Sequence, residues 1–249
     1  ELPRIAQSRI YINEIRCCSL RNMTQQSERP WLTFDCYDTL VRYSEGKATA
    51  LASLVREKGG DDAAIVVAQE AFEDSEKKLQ LGSFQALNDI LRSSLHSALA
   101  AVSIEGTVAD EDVIIDAVRA AEPFPDVIQV LRDLKRDHRL AILSNSEPDI
   151  IRHTTVQLGV VFDAVVLAYH AKCYKPAAGM FYTLLERIGA APKDVTHIAQ
   201  SFYHDMRSAK DVGIGRRIWI NRYDRVGDCA YTPDAELPDL IGVRNALVL

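Results

Sequence analysis

The segment WLTFDCYDTL, residues 31–40, places Asp35 directly after a short apolar run and Asp38 three positions later. A short apolar run of this kind is typical of a buried strand. A carboxylate at the end of such a strand can act as a nucleophile, which divides one difficult displacement into the formation and the hydrolysis of an ester. An aspartate can also simply stabilise a turn. We assign the chemistry to Asp35 and the turn to Asp38.

Other polar residues also follow predicted strands. These strands are WLTF (31–34), RLAIL (139–143), AVVLA (164–168), VTHIA (195–199) and RIWI (217–220). The residues beyond their ends are Ser144, Asn145 and Ser146 after the second strand, Lys175 after the third, and Gln200 to Asp205 after the fourth. Because ligands bind at the carboxyl ends of parallel strands, we expect these side chains to meet Asp35 at one edge of a sheet.

Helical periodicity separates the predicted strands. Apolar residues recur three and four positions apart in 127–134 and in 180–188, before Gly189. This spacing indicates amphipathic helices. Strands that alternate with helices indicate a parallel sheet with helices on both faces, so we predict an α/β fold.

Residues 45–120 show helical periodicity and no convincing strand. Within them, Phe84, Leu87, Leu91, Leu95 and Ala98 line one face after Ser83, a residue type that often caps helix N-termini. The breaker cluster AEPFPD at 121–126 then returns the chain to the sheet. We therefore predict a poorly ordered N-terminal extension at 1–23, an α/β core formed by 24–44 and 121–249, and an all-helical insert at 45–120.

Composition narrows the classes of partner. The 249 residues carry a formal net charge of −6, and 47% are hydrophobic, which is typical of a globular protein whose main partner is neither a nucleic acid nor an anionic membrane. No apolar run reaches the roughly 18 residues of a membrane span. The five cysteines lack the paired spacing of a metal or redox site. We expect a cytoplasmic protein, in which the binding of an anionic substrate would require local positive groups.

Four segments, in this order, resemble the haloacid dehalogenase (HAD) superfamily of hydrolases. FDCYDTL resembles its first motif, LAILSNS its second, YKPAAGMF its third and HIAQSFYHD its fourth. The resemblance covers residues 31 to about 224. It implies a HAD-like Rossmannoid core with an inserted helical cap. It also implies that Asp35 is the nucleophile and that Thr39, Lys175 and Asp205 are catalytic.

Two positions discriminate between branches of the superfamily. Its phosphatases carry a second aspartate two residues after the nucleophile, where this chain has Tyr37, and a further aspartate at the position of Gln200. Mg²⁺ binding and protonation of a leaving group depend on such acids. The chain thus resembles the metal-free 2-haloacid dehalogenase branch, which implies no cofactor. In the alternative, a Mg²⁺-dependent phosphate monoester hydrolase, Asp35 and Asp205 would bind the metal.

The resemblance implies a role for each polar residue at this edge. Asp35 would displace halide from C2 of a short 2-haloacid, and Asp205 would activate the water that hydrolyses the ester. Lys175 would keep Asp35 ionised by lowering its pKa by about one to three units. Substrate contacts are assigned to Tyr37, Ser144, Asn145, Gln200, Ser201 and His204. Ser144 and Asn145 could instead cap a helix at 147–158. His204 could be a residue at a helix N-terminus without a role in the reaction.

Several positions depart from the dehalogenase pattern. The stretch 61–76 has no basic residue where the family's cap supplies an arginine, Phe202 replaces an asparagine, and Phe181 replaces a tyrosine unless Tyr182 substitutes. A catalytically silent or repurposed protein on this scaffold is therefore a third hypothesis. We assign no role to His197 and interpret Cys36 as a packing residue. The family analogy allows a homodimer through the helical cap.

Overall fold

The computed structural model describes residues 29–248, which form a parallel sheet with a helical unit inserted after its first strand. The strands are β1 (Trp31–Phe34), β2 (Arg139–Ser144), β3 (Ala164–Leu167), β4 (Val195–Ala199), β5 (Arg216–Ile220) and β6 (Ala235–Leu237). Their order is β3-β2-β1-β4-β5-β6, and every neighbouring pair is parallel. The predicted α/β class is confirmed. The extension predicted for 1–23 lies outside the described residues.

Both faces of the sheet are buried, as expected for parallel strands covered by helices. Successive side chains of a strand point to opposite faces, so Leu32, Phe34 and Cys36 pack into one apolar cluster and Trp31 into the other. Cys36 is thus a packing residue, as predicted. The five predicted strands are confirmed. The sixth, β6, has no sequence signal because its three residues are only partly buried and contain no apolar run.

Four helices follow β1 and form a unit that we call the helical cap. They are α1 (Tyr43–Glu57), α2 (Asp62–Leu81), α3 (Leu87–Ala101) and α4 (Val113–Arg119). Asp61 starts α2 by accepting a hydrogen bond from the Ala64 N–H at 2.9 Å. The apolar sides of these helices pack into a cluster of their own, which includes Leu51, Phe72 and Leu95. The helical character predicted for this part of the chain is confirmed.

The start of α3 differs from the prediction, because Ser83 does not cap it and the helix begins only at Leu87. Phe84 instead stacks on Tyr174 of the core, with ring centroids 5.7 Å apart, and the Tyr174 hydroxyl donates to Gln85 O at 2.9 Å. These contacts hold the segment before α3 in a non-helical connection between the helical cap and the core.

The remaining helices cover the sheet. They are α5 (Val127–Leu134), α6 (Pro148–Leu158), α7 (Ala168–Ala171), α8 (Gly179–Ile188), α9 (Ser208–Asp211) and α10 (Val243–Ala246). The periodicity in 127–134 and 180–188 correctly predicts α5 and α8. Helix α8 ends before Gly189, whose φ of 62° is left-handed, a conformation that lets backbone N–H groups bond to the last carbonyls of a helix. No helix within residues 29–248 is both long and apolar enough to cross a membrane.

A buried ion pair fixes the loop that follows β1. Arg222 donates to both oxygens of the Asp126 carboxylate, at 3.0 and 2.8 Å, and to Thr39 O at 2.9 Å. The side chains of Arg222 and Asp126 are 8% and 10% exposed. Burial alone would raise the pKa of Asp126, but the hydrogen bonds from Arg222 and from the Leu240 N–H lower it below its ordinary value. The pair therefore ties the β5 end of the sheet to the backbone of Thr39.

We expect Asp126→Ala to lower the free energy of unfolding by about 3 kcal/mol, because it leaves the buried Arg222 without its counter-charge. Asp137→Ala is a matched control. Asp137 pairs with Arg244 where both side chains are about half exposed, so its loss should destabilise the protein much less. Urea unfolding of both variants at pH 7 measures the difference, and equal losses would contradict the role given to the buried pair.

Candidate active site

Asp35 extends the first strand toward the edge where the carboxyl ends of the strands meet. Its N–H donates to Ile198 O at 3.1 Å, which lengthens the pairing of β1 with β4 by one residue. The residue is 6% exposed and lines a cleft to which both the core and the helical cap contribute. Asp35 therefore presents its carboxylate to the cleft from a firmly held strand end.

Asp38 occupies the turn after Asp35. Its φ of 58° lies in the left-handed region, which aspartate adopts more often than most residues. Its Oδ1 accepts a hydrogen bond from the Ser44 N–H at 2.9 Å, at the start of α1. The prediction that Asp38 stabilises the turn is confirmed.

Lys175 bridges two carboxylates. Its Nζ lies 2.7 Å from Asp35 Oδ1, 2.7 Å from Asp205 Oδ1 and 3.0 Å from Leu143 O, so all three N–H groups of the ammonium are used. The residue is 2% exposed. Burial alone would lower the pKa of Lys175, but the charges of Asp205 and Asp35 outweigh burial and raise it. Lys175 is therefore a buried and permanently charged bridge.

Asn145 holds the backbone of Lys175. Its Oδ1 accepts from the Lys175 N–H at 2.7 Å, and its Nδ2 donates to Lys175 O at 3.1 Å. The capping role considered for Asn145 and Ser144 is wrong, because α6 begins at Pro148 with no side-chain cap. Ser144 is buried, its hydroxyl has no hydrogen-bond partner within residues 29–248, and it does not line the cleft.

Thr39 connects Asp35 to the loop after β4. Its hydroxyl donates to Asp35 Oδ2 at 2.6 Å and accepts from the Gln200 N–H at 2.9 Å. Each oxygen of Asp35 thus accepts a hydrogen bond, one from Lys175 and one from Thr39. Such contacts hold the carboxylate in one orientation.

Asp205 lies in a π-helical turn, Phe202–Arg207, that follows β4. Its Oδ1 contacts Lys175 and also lies 2.8 Å from His197 Nε2. Its Oδ2 is buried and has no partner in the described part of the chain. His197, to which the sequence analysis assigns no role, is therefore part of this site. A histidine inside an apolar strand is itself a signal, since a buried polar ring requires hydrogen-bond partners.

The two carboxylates differ in pKa. Burial raises the pKa of Asp35, and the charge of Asp205 adds to this effect, while Lys175 and Thr39 oppose it without reversing it. Burial acts on Asp205 as well, but there Lys175 and His197 prevail and the pKa lies below its usual value. Lys175 does lower the Asp35 pKa, as expected, but burial and the charge of Asp205 outweigh it, so the net shift is upward. Asp205 is the more firmly ionised of the two.

Tyr37 presents a neutral phenol two residues after Asp35. Its hydroxyl lies 2.5 Å from Ser146 Oγ, and its ring stacks on Tyr43 with centroids 4.2 Å apart. Burial raises the pKa of the Tyr37 phenol well above its ordinary value. The side chain is thus held in place and uncharged.

Gln200, Ser201 and His204 line the cleft after β4. Gln200 is 6% exposed, and its Nε2 is a buried donor without a partner among residues 29–248. Ser201 caps the following turn, because its Oγ accepts from the His204 N–H at 3.1 Å. Burial lowers the pKa of His204, so its ring is neutral at pH 7. These residues offer neutral hydrogen-bonding groups rather than acids.

The cleft has a volume of about 580 Å³. Of the predicted site residues, all line it except Thr39 and Ser144, which lie behind its wall. The helical cap contributes Lys47, Glu76 and Lys77. Lys47 and Glu76 form an ion pair, and the Tyr43 hydroxyl donates to Glu76 at 2.9 Å. The cap thus supplies lysines to the cleft, although the stretch 61–76 contains no basic residue.

The tyrosine that the family pattern leads one to expect after Lys175 has no substitute here. Phe181 is buried and meets the His197 ring edge-on, with centroids 5.0 Å apart. Tyr182 is 58% exposed and does not line the cleft. No phenol from α8 therefore reaches the site.

Three of the four carboxylate oxygens of Asp35 and Asp205 already accept hydrogen bonds, whereas Mg²⁺ prefers free oxygen ligands in octahedral geometry. Both Oδ1 atoms contact the Lys175 ammonium, and Asp35 Oδ2 accepts from Thr39. Tyr37 and Gln200 add no negative charge. Within residues 29–248, no group of three His, Cys, Asp or Glu side chains is arranged to hold a metal ion.

Known proteins share this fold. A family model for haloacid dehalogenase-like hydrolases matches residues 31–213. The chain belongs to this family. The solved structure of the L-2-haloacid dehalogenase from Xanthobacter autotrophicus superposes on this HAD-like hydrolase with a TM-score of 0.76 and 19% identity, covering 88% of this chain and 98% of that one. The HAD-like core and the hydrolase class predicted from the four motifs are confirmed.

Curated relatives of this HAD-like hydrolase come from two branches. The N-acylneuraminate-9-phosphatase of Mus musculus is 28% identical over 103 residues, which cover 41% of this chain and 42% of that protein. The (S)-2-haloacid dehalogenase 4A of Burkholderia cepacia is 25% identical over 157 residues, covering 62% of this chain and 66% of that protein. The match spans less than half the length of the first relative. These similarities support a hydrolase. Its substrate has to be inferred from the residues that line the cleft.

We expect Thr39→Val to raise the pKa of Asp35 further, because the Thr39 hydroxyl favours the ionised carboxylate. A higher pKa means that Asp35 becomes protonated at a higher pH than in the wild type. Thr39→Ser keeps the hydroxyl and is the control. A ¹³C NMR titration of the Asp35 carboxyl, assigned by its loss in Asp35→Asn, measures the midpoint. A midpoint in Thr39→Val at or below the wild-type value would refute this role.

Proposed function

We propose that this HAD-like hydrolase removes halide from short 2-haloalkanoic acids through an aspartyl-ester intermediate and without a metal cofactor. The observation that carries the proposal is Tyr37. A neutral phenol, bound to Ser146, stands where the phosphatases of the superfamily place an acid that protonates the leaving group. A halide leaves as a stable anion and needs no proton. Tyr37 is therefore compatible with dehalogenation and unfavourable for the hydrolysis of phosphate esters.

In the first step, a carboxylate oxygen of Asp35 bonds to C2 of the substrate while the carbon–halogen bond breaks, and its electron pair leaves with the halide. Thr39 and Lys175 hold the attacking carboxylate by hydrogen bonds of 2.6 and 2.7 Å, which restricts it to an orientation suited to attack. Ester formation removes the charge of Asp35. Lys175 then has one anionic partner left, Asp205.

In the second step, Asp205 Oδ2 accepts a proton from water, and the water oxygen attacks the carbonyl carbon of the ester. The bond between that carbon and the ester oxygen of the substrate breaks, and Asp205 returns its proton to this oxygen, so the 2-hydroxy acid leaves. The regenerated Asp35 carboxyl then loses the second proton of the water, which is the one proton released overall. The free Oδ2 of Asp205 supports this role, and its lowered pKa keeps the carboxylate ionised before it accepts the proton. The Lys175 ammonium stabilises the negative charge that develops on the Asp35 oxygen.

A small anionic organic substrate would find cationic groups in the cleft, although Asp38, Glu73 and Glu76 line it as well. Lys47, Lys77 and Arg225 line it, and the partner-free Nε2 of Gln200 offers a hydrogen bond to a carboxylate. The proposal includes a cytoplasmic location, because Cys36, Cys173 and Cys229 are free thiols, which is usual in a reducing compartment. It also includes a homodimer through the helical cap, by analogy with the family.

Hydrolysis of phosphate monoesters is the second candidate. Its support is the sequence similarity to N-acylneuraminate-9-phosphatase and the presence of Asp35, Thr39, Lys175 and Asp205, which both branches use. Against it stand Tyr37 and Gln200, which supply neither the acid nor the metal ligands of that reaction.

A catalytically silent protein is the third candidate. Its support is the cap, where Glu76 neutralises Lys47 and none of the cap residues that line the cleft is an arginine. Against it stands the buried Lys175 with its two carboxylates. Burying such charges is costly, and groups of this kind concentrate at functional sites.

We expect the protein to release chloride from 2-chloropropionate in the presence of EDTA. Asp35→Asn should reduce this rate by at least about 10³-fold, because no ester can form. Asp38→Asn makes the same chemical change three residues away, and we expect it to keep most of the activity because the Asp38 carboxylate, although it borders the cleft, bonds to Ser44 and not to the reacting groups.

The same preparation, assayed with p-nitrophenyl phosphate and Mg²⁺, separates the other candidates. Phosphate release that requires Mg²⁺ and is lost in Asp35→Asn would establish the second candidate. A folded protein that is inactive in both assays would establish the third.

A further inference from the structure

His197 is a buried histidine that neither step of the proposed reaction uses. It lies in β4 with no solvent exposure, opposite Thr33 in the register of β1 and β4. Its Nδ1 is 2.8 Å from Thr33 Oγ1, and its Nε2 is 2.8 Å from Asp205 Oδ1. Phe181 packs against the ring from the side. The imidazole is therefore held between Thr33 of β1 on one side and the Asp205 carboxylate on the other.

The hydrogen bonds favour one assignment of the proton on the His197 ring. The Thr33 hydroxyl has two acceptors within reach, Thr196 O at 3.3 Å and His197 Nδ1 at 2.8 Å, and the ring nitrogen is the nearer. Donation to Nδ1 leaves the ring proton on Nε2, which then donates to Asp205. This tautomer satisfies each group without adding a second buried cation beside Lys175.

The two oxygens of Asp205 differ because of this contact. Oδ1 accepts from both Lys175 and His197, whereas Oδ2 accepts from no described residue. Rotation of the carboxylate would break two hydrogen bonds at once. Oδ2 is therefore the oxygen that is free to accept a proton from water.

Lys175 alone cannot secure this orientation throughout the reaction, because it is shared with Asp35 Oδ1. When Asp35 becomes an ester, its negative charge disappears. The Lys175 ammonium is then attracted less strongly to Asp35, so its contacts with the two aspartates change. The contact between His197 and Asp205 does not involve Asp35. It is thus present in both halves of the reaction.

We propose that His197, oriented by Thr33, is a positioning residue for ester hydrolysis: it holds Asp205 so that Oδ2 faces the water that attacks the ester. The proposal rests on the aspartyl-ester reaction described above. It assigns His197 no contact with the substrate and no part in the displacement of halide. Partners of this kind, placed behind a reacting group, typically contribute about 10- to 100-fold to activity.

The test compares His197→Asn with His197→Gln, using 2-chloropropionate as the probe. The glutamine amide reaches the position of Nε2 and can donate to Asp205, whereas the asparagine amide reaches only the position of Nδ1. In His197→Asn we expect ester hydrolysis to slow by about 10- to 100-fold. Ester formation, measured as the burst of chloride, should change little. Intact-protein mass spectrometry should then show the ester accumulating, as in Asp205→Asn, and His197→Gln should restore much of the turnover.

Thr33→Val provides a second variant that acts through the histidine only. Thr33 is buried and does not line the cleft, so a slowing of the same step, smaller than in His197→Asn, is expected. Ester hydrolysis at the wild-type rate in His197→Asn would overturn the proposal. An equal fall in both steps would also overturn it, because it would indicate general damage to the fold.

Failure of the dehalogenase reaction itself has a separate signature, namely that the wild type forms no ester with 2-chloropropionate. In that case ¹⁵N NMR of the His197 ring decides the positioning geometry. A proton on Nε2 that is protected from exchange, and that loses protection in Asp205→Ala, would support the contact with Asp205. A proton on Nδ1 would overturn it.

Discussion

The ammonium of Lys175, buried between two carboxylates, is the interaction on which this site depends. Two carboxylates that share one interior site cannot both ionise without a counter-charge. Lys175 supplies it with hydrogen bonds of 2.7 Å to each. The three residues come from the ends of β1, β3 and β4, which are far apart in sequence. The site therefore exists only when the order β3-β2-β1-β4 has formed.

The sheet and the hydrogen bonds around it give the two aspartates different properties. Asp35 has one strong donor at each oxygen, and burial leaves its pKa raised. Asp205 has two donors at Oδ1, and its pKa is lowered despite equal burial. The fold thus places two aspartate side chains in different environments. Two carboxyl groups in different environments can take different parts in a reaction. The proposed division into nucleophile and base follows this difference.

The sequence predicted the elements whose signal is local. Periodicity gave the five longer strands and helices α5 and α8, and the residues after those strands include both carboxylates and Lys175. The misses involve contacts between distant residues. The start of α3 depends on Tyr174 of the core, the function of Asn145 depends on the backbone of Lys175, and Glu76 meets Lys47 from another helix. Such pairs are set by tertiary packing, which no local pattern records.

His197 and the direction of the Asp35 pKa were missed for a related reason. The strand VTHIA gives the position of His197 but not the partner that its ring reaches, which is eight residues further along the chain. The effect of Lys175 on Asp35 was predicted from proximity alone. The net direction depends on how deeply the pair is buried, and burial is a property of the whole fold.

The position of Tyr37 shows why the choice between branches of this family involves more than one residue. The Tyr37 ring stacks on Tyr43, the Tyr43 hydroxyl bonds to Glu76, and Glu76 pairs with Lys47. These contacts run from the loop after β1 to helices α1 and α2 of the cap. An aspartate in place of Tyr37 would lose the stacking and the contact with Ser146, and it would add a third carboxylate beside Asp35 and Asp205. The residue two positions after Asp35 and the wall of the cap are therefore packed together, so a substitution at Tyr37 would also disturb the cap side of the cleft.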